Sequence, residues 1–182
     1  MHFSTTKTSV GSGFTWRGGP LSVYLQQVKI KNFRNLKDVT IKLRQGLNVL
    51  VGRNNVGKTN LFHAIRHALS AVQGDPLWLV EDDIFREPQQ ILSSSPIRMD
   101  LTYAGLTENQ ISQFFEILDV NPLNPNLSTA KIHFEAVWSD TKGRFATKRW
   151  GGQDDGERTP IPNEIMEALP VTFLHAQSSR KL

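Results

Sequence analysis

Along much of the chain apolar residues recur at every second position. Val28 and Ile30 alternate with Lys29 and Lys31 inside a stretch over 21–33, the period of a half-buried strand. A turn over Asn32-Phe33-Arg34-Asn35-Leu36 follows, and then Val39, Ile41 and Leu43 alternate with Thr40, Lys42 and Arg44. Ile97, Met99, Leu101 and Tyr103 predict a third such strand, and Ile132, Phe134, Ala136 and Trp138 a fourth. The turn Ser139-Asp140-Thr141-Lys142-Gly143 sends that strand back as a hairpin over 144–150. Gln45-Gly46 leads into Leu47-Asn48-Val49-Leu50-Val51, an apolar run that reads as a buried strand.

Elsewhere the period changes to that of a helix. Over 60–72, Leu61, Phe62, Ala64, Ile65, Ala68, Leu69, Ala71 and Val72 fall on one side, and His63, Arg66, His67 and Ser70 on the other. Such a helix lays its apolar face on a sheet, and Gly74-Asp75-Pro76 ends it. Thr107 as N-cap with Gln110 as its capping-box partner predicts a helix over 108–118, closed by Asn121-Pro122. A loop over 121–128, a short helix over 162–169 and a strand over 171–175 complete the reading. Residues 1–20, rich in Ser, Thr and Gly, read as a flexible leader.

Between the apolar run and the first helix stands Gly52-Arg53-Asn54-Asn55-Val56-Gly57-Lys58-Thr59, spelling G-x-x-x-x-G-K-T, the phosphate-binding P-loop. Gly52 and Gly57 lack a Cβ, so the backbone N–H groups of the loop can curl inward against a polyphosphate. The helix N-terminus behind it adds unpaired amides and a positive dipole end. Lys58 supplies a mobile charge for the β- and γ-phosphates and is the candidate catalytic residue. The Thr59 hydroxyl is a candidate Mg²⁺ ligand, and Asn60 completes the candidate nucleotide-binding set. The expected cofactors are ATP and Mg²⁺.

Composition narrows the class. At 182 residues with 38% apolar and 21% charged positions, the chain can bury a core and is not disordered throughout. Its 21 Lys and Arg against 17 Asp and Glu leave a mild positive excess, compatible with a nucleic-acid partner. With no cysteine, disulfides and thiolate metal sites are excluded. No apolar run approaches the ~18 residues of a membrane span, so no membrane partner and a cytoplasmic location are expected.

Three other groups carry a functional and a plain reading. His63 and His67, one helical turn apart, have metal-binding spacing, but no third ligand stands nearby and a solvated helix face accounts for them. Leu77-Trp78-Leu79-Val80-Glu81-Asp82-Asp83 has the order of a Walker B strand. Its apolar part is short, and an acidic surface loop accounts for it better. Lys142, Arg144, Lys148 and Arg149 interleave with Trp138, Phe145 and Trp150, which suits nucleic acid. A charged, self-protecting edge strand is the favoured account of the same residues.

The run from Val28 to Leu69 resembles the start of the RecF/SMC-type ABC ATPase heads. The wording G-R-N-N-V-G-K-T-N is most similar to the OLD family of ATP-dependent endonucleases. The resemblance implies an α/β P-loop NTPase of ABC/SMC-head type with a mixed sheet and an antiparallel β layer. It makes 21–182 an incomplete domain, the N-terminal portion of that ATPase. It also implies that Asn32 and Arg34 lie beside the nucleotide, that heads pair as a homodimer around ATP, and that DNA is a partner.

The chain departs from the family in lacking an LSGGQ-like signature, a convincing Walker B, a switch His and a Toprim carboxylate set. Slow hydrolysis is therefore expected until a C-terminal region or subunit completes the site. The alternatives are a RecF/SMC-type repair head, an ABC transporter's nucleotide-binding subunit and a non-hydrolysing ATP sensor.

Overall fold

The computed structural model describes residues 4–5, 23–53, 56–69, 78–87, 95–124, 127–154, 158 and 160–169. Its frame is one antiparallel sheet. Strand β1 is Ser4–Thr5, β2 Tyr24–Phe33, β3 Leu36–Lys42 and β4 Leu50–Val51. Further on come β5 Ile97–Ala104, β6 Leu118–Asp119, β7 Thr129–Ser139 and β8 Arg144–Gly151. The order is β3-β2-β5-β7-β6, and β8 shares the outer side of β7 with β6. Every strand pair among the described residues is antiparallel. The expected antiparallel layer is thus present.

Register explains why alternation was so legible. Ile41, Val28, Leu101 and Ile132 stand opposite one another across four strands, and so do Val39, Ile30, Met99 and Phe134. Residues two apart share a face, so these rows make one continuous apolar surface. Helix α1, Lys58–Leu69, brings Leu61, Ala64, Ile65, Ala68 and Leu69 into the same core. Ile165 and Met166 of α3, Asn163–Ala168, join it.

The far end of α1 is tied to β8 by Arg149. Its Nε donates to the Ala68 carbonyl at 3.0 Å and its Nη2 to the His67 carbonyl at 3.0 Å. A cation beside carbonyls towards the C-terminal end of a helix adds hydrogen-bond donors and complements the dipole.

Several expectations need correction. The helix over 108–118 is shorter: α2 spans Glu108–Gln113 and gives way to a tighter turn, Phe115–Ile117. The capping box at Thr107 and Gln110 is present, with the Thr107 N–H donating to Gln110 Oε1 at 3.0 Å. Phe114 and Ile117 are both fully buried, and the tighter turn aligns residues three apart, so the core favours it over a continued helix. On α1 the expected split of faces is wrong at two positions: Phe62 is 54% exposed while His67 is buried, edge-on to Phe33. The apolar stripe is wider than a sheet can cover, and packing excludes its margin.

The run over 47–51 is not a buried strand. Leu47, Val49 and Val51 are exposed, and among the described residues β4 pairs with the two-residue β1 alone, too little to cover it. The strand expected over 171–175 and the Gly74-Asp75-Pro76 stop lie outside the described residues.

The opposite sheet face is charged and self-paired. His133 Nδ1 lies 2.7 Å from Asp100 Oδ1 and its Nε2 3.0 Å from the Gly152 carbonyl. Trp150 stacks on His133 and is itself buried, with the Arg158 guanidinium 4.3 Å from its ring centroid. On the core side, Trp138 packs edge-on to Phe145. Trp150 is covered and Arg149 bonds α1, while Arg144 and Lys148 are exposed; among the described residues β8 pairs with β7 alone.

Asp100 sits at the centre of this face. Burial pushes its carboxyl up, but the hydrogen bond with His133 and the charge of Arg98 outweigh that and hold it below the usual carboxylate range. A group depressed in the folded state stabilises the fold above its unfolded value, and that stabilisation is lost as the pH falls through the folded value. The thermal midpoint is therefore expected to drop as the pH falls below about 4. Asp100→Asn should flatten that slope in a pH series of melting curves, whereas an unchanged slope would contradict the assignment.

Candidate functional site

The predicted loop lies where its spelling requires, between the end of β4 and the first residue of α1. Gly52 and Arg53 leave the strand, and Val56 and Gly57 enter the helix. Asn54 and Asn55 lie outside the described residues. The Val56 N–H reaches back to the Arg53 carbonyl at 3.4 Å, and the Leu61 N–H bonds the Gly57 carbonyl at 2.9 Å. Lys58 Nζ donates to the Gly52 carbonyl at 2.5 Å and the Arg53 carbonyl at 2.8 Å, so its ammonium spans the loop. Thr59 is exposed on the first turn of α1.

Gly57 is required here twice over. Its φ of 101° is in the left-handed half of the map, and a Cβ would stand 2.8 Å from Leu36 Cδ2 and 2.9 Å from Asn35 Oδ1. The β2–β3 turn is thus pressed directly against the loop. That turn is itself tightly wound, with two non-glycine residues at positive φ, Asn32 at 57° and Arg34 at 48°.

The structure brings one of the two turn candidates to the loop and turns the other away. Arg34 Nη1 donates to Asn60 Oδ1 at 3.0 Å, while Asn60 Nδ2 donates to Asn35 Oδ1 at 2.9 Å. The Asn32 side chain instead donates to the Pro96 carbonyl at 3.1 Å. Its left-handed backbone is what aims it there.

Asp83 is the residue that sequence reasoning missed. It was read as part of an acidic surface loop, yet it is 2% exposed. Arg34 Nε donates to its Oδ1 at 2.7 Å, and the Val80 N–H donates to its Oδ2 at 2.9 Å. Glu81 and Asp82 stay outside, paired with Arg86. The segment Glu81–Asp83 is a single tight turn and not a strand. It is stitched to the β2–β3 hairpin by the Arg34 N–H to the Asp83 carbonyl (2.8 Å) and the Phe85 N–H to the Asn32 carbonyl (3.0 Å). The available signal was Ile84-Phe85, whose apolar character announces that the chain dives inward beside its last acid.

The two histidines do not form a metal pair. His67 is buried on Phe33, and the His63 imidazole is pushed below its usual range by burial and then by the charges of Arg34 and Arg66. No cluster of three metal-ligating side chains occurs among the described residues.

The profile of the AAA ATPase domain family matches residues 24–168. Over 108 residues the chain is 32% identical to the DNA replication and repair protein RecF of Oenococcus oeni, covering 50% of this chain and 29% of that one. Over 99 residues it is 33% identical to an ATP/GTP phosphatase of Helicobacter pylori, covering 53% and 25%. Over 82 residues it is 32% identical to the DNA double-strand break repair Rad50 ATPase of Archaeoglobus fulgidus, covering 45% and 8%. The chain spans less than a third of the length of each of these relatives. A chain solved in work on ATP-driven dimerization and DNA-stimulated activation of SMC ATPases superposes on 79% of this chain and 75% of that one. The TM-score is 0.49 at 17% identity.

The wedge at Gly57 can be measured. Gly57→Ala adds a clash to an unfavourable φ, whereas Gly46→Ala, with φ 93° and nothing within 4 Å, adds the unfavourable φ alone. Each strained position costs about 1–3 kcal/mol. In urea denaturation Gly57→Ala should lose clearly more than Gly46→Ala, and equal losses would show that the turn does not press on the loop.

Proposed function

The chain belongs to the AAA ATPase domain family, and from that premise we propose that it binds ATP with Mg²⁺ in the loop over 52–59, as part of a DNA-directed ATPase. The observation that carries this is the strand–loop–helix junction, with Gly57 in a conformation only glycine holds easily and Lys58 aimed across the loop. The residues fit a triphosphate. Lys58 is held by two neutral carbonyls of its own loop, partners that a phosphate oxygen replaces with a stronger, charge-assisted bond. The N-terminus of α1, which begins at Lys58, would add its unpaired N–H groups and positive dipole end to the same phosphates. Thr59 is the Mg²⁺ ligand, its hydroxyl exposed at the first turn. Gly52, Arg53, Asn54, Asn55 and Val56 supply the cradle. Asn60 and Arg34 border it, and Asn32 serves the turn more than the nucleotide.

Lys58 and Mg²⁺ would neutralise charge on the transferring phosphoryl group, which is most of what phosphoryl transfer asks of a protein. DNA as partner is supported by the names of the RecF and Rad50 relatives. A second copy or a completing C-terminal region, and a cytoplasmic setting, follow from the same reading. The refinement to an OLD-type nuclease, a family with members in phage defence, rests on the wording of residues 52–60 and, less specifically, on the stretches over 81–85 and 174–176.

Lys58→Ala is expected to weaken Mg-ATP binding at least tenfold (about 1.4 kcal/mol), because a charged donor to the triphosphate is lost. Calorimetric titration checks this, and equal affinities for variant and parent would refute the site. DNA binding is expected to be sequence-independent. Its log affinity should fall with log salt by roughly 0.9 per phosphate contact. Fluorescence polarisation at several salt concentrations reads that slope, and a flat line would count against phosphate contact.

A further inference from the structure

We propose that Asp83 is a positioning residue for the phosphate loop, acting on it through Arg34 and Asn60. The inference rests on the ATP-binding reading above and extends it to a segment outside the motif. Asp83 is a buried carboxylate, and an unpaired charge at such a place is strongly disfavoured. Arg34 answers it twice, with its guanidinium on Oδ1 at 2.7 Å and its backbone N–H on the Asp83 carbonyl at 2.8 Å. This double hold fixes Arg34 in the left-handed conformation that its turn requires.

Fixed there, Arg34 sends Nη1 to Asn60, one residue past Thr59. Asn60 returns its amide to Asn35, and Asn35 with Leu36 presses on Gly57. The end of the loop and the first turn of α1, from Gly57 to Asn60, are therefore clamped by the residues of one turn. Asp83 anchors that turn from behind. A loop already held in its binding shape loses less conformational freedom when ligand arrives, so the clamp raises affinity without touching ligand.

A purely architectural role for Asp83 would lower the melting temperature and leave nucleotide affinity alone. The test is Mg-ATP titration of the full 182-residue chain carrying Asp83→Asn, Asn60→Ala or both, well below each variant's melting transition. Asp83→Asn is expected to weaken binding roughly tenfold, the lower range for loss of an outer hydrogen-bonding partner. Asn60→Ala cuts the same link while leaving the buried pair intact, so it should lose a similar factor and decides the matter if Asp83→Asn does not fold. The double variant should lose no more than either single one, as members of one chain of contacts do. Affinities within twofold of the parent, tighter binding, or losses that multiply would each overturn the proposal. Lys58→Ala separates the two readings. If the parent binds ATP through Lys58 and the Asp83 and Asn60 variants match it, the clamp fails while the site stands. If the parent does not bind ATP, the site itself fails.

Discussion

A phosphate loop must hold backbone amides pointing inward, a shape that has few internal hydrogen bonds to maintain it. In this chain the shape is maintained from outside, by the contact of Gly57 with Asn35 and Leu36. The turn that makes this contact is itself held by the core. Leu36 is fully buried and begins β3, and Phe33, equally buried, ends β2, so the turn between them is pinned at both ends by the core. The pairing of Phe33 with Leu36 sets the turn so short that Arg34 must adopt a left-handed backbone. A sheet built to bury apolar rows thereby fixes the position of a loop that contributes little to the core itself.

The helix behind the loop is held in the same spirit at its other end. Its N-terminal turn meets Arg34 and Asn35 through Asn60, and its C-terminal carbonyls accept from Arg149, whose guanidinium lies 5.1 Å from the Phe134 ring centroid. Arg149 is largely buried, and burial pushes its acidity up, yet guanidinium ionises so far from neutral pH that the charge persists. The β2–β3 turn and strand β8 therefore hold α1 towards its two ends. Such bracing at both termini suits an element whose first turn must receive charge without shifting.

How much of this was legible follows from which physics is local. The strands were readable because alternation is imposed by the pleat and by a single buried face, and Val28, Ile30, Met99 and Leu101 obey it without exception. The Thr107 capping box was readable because its partners are three residues apart. The loop was readable because glycine and lysine at fixed spacing answer the chemistry of phosphate. What failed was set by distant neighbours. The run over 47–51 is apolar enough for a buried strand, and only the arrangement of strands decides that nothing among the described residues covers Leu47. Phe62 and His67 exchange roles because the width of the sheet determines which margin of the helix it covers. Asp83 looks like its neighbours Glu81 and Asp82, and its burial depends on an arginine 49 positions earlier in the chain.

The fate of those three acids bears on turnover as well as on binding. Hydrolysis of a nucleoside triphosphate calls for a carboxylate free to order the Mg²⁺ shell or the attacking water. Both oxygens of Asp83 already accept a hydrogen bond, Oδ1 from Arg34 and Oδ2 from the Val80 N–H. Glu81 and Asp82 lie on the outer side of the turn, shared with Arg86. Releasing Asp83 for catalysis would unpair Arg34 and, with it, loosen the turn on which Gly57 rests. In this structure Asp83 is committed to its turn, and the segment over 81–83 braces the β2–β3 hairpin.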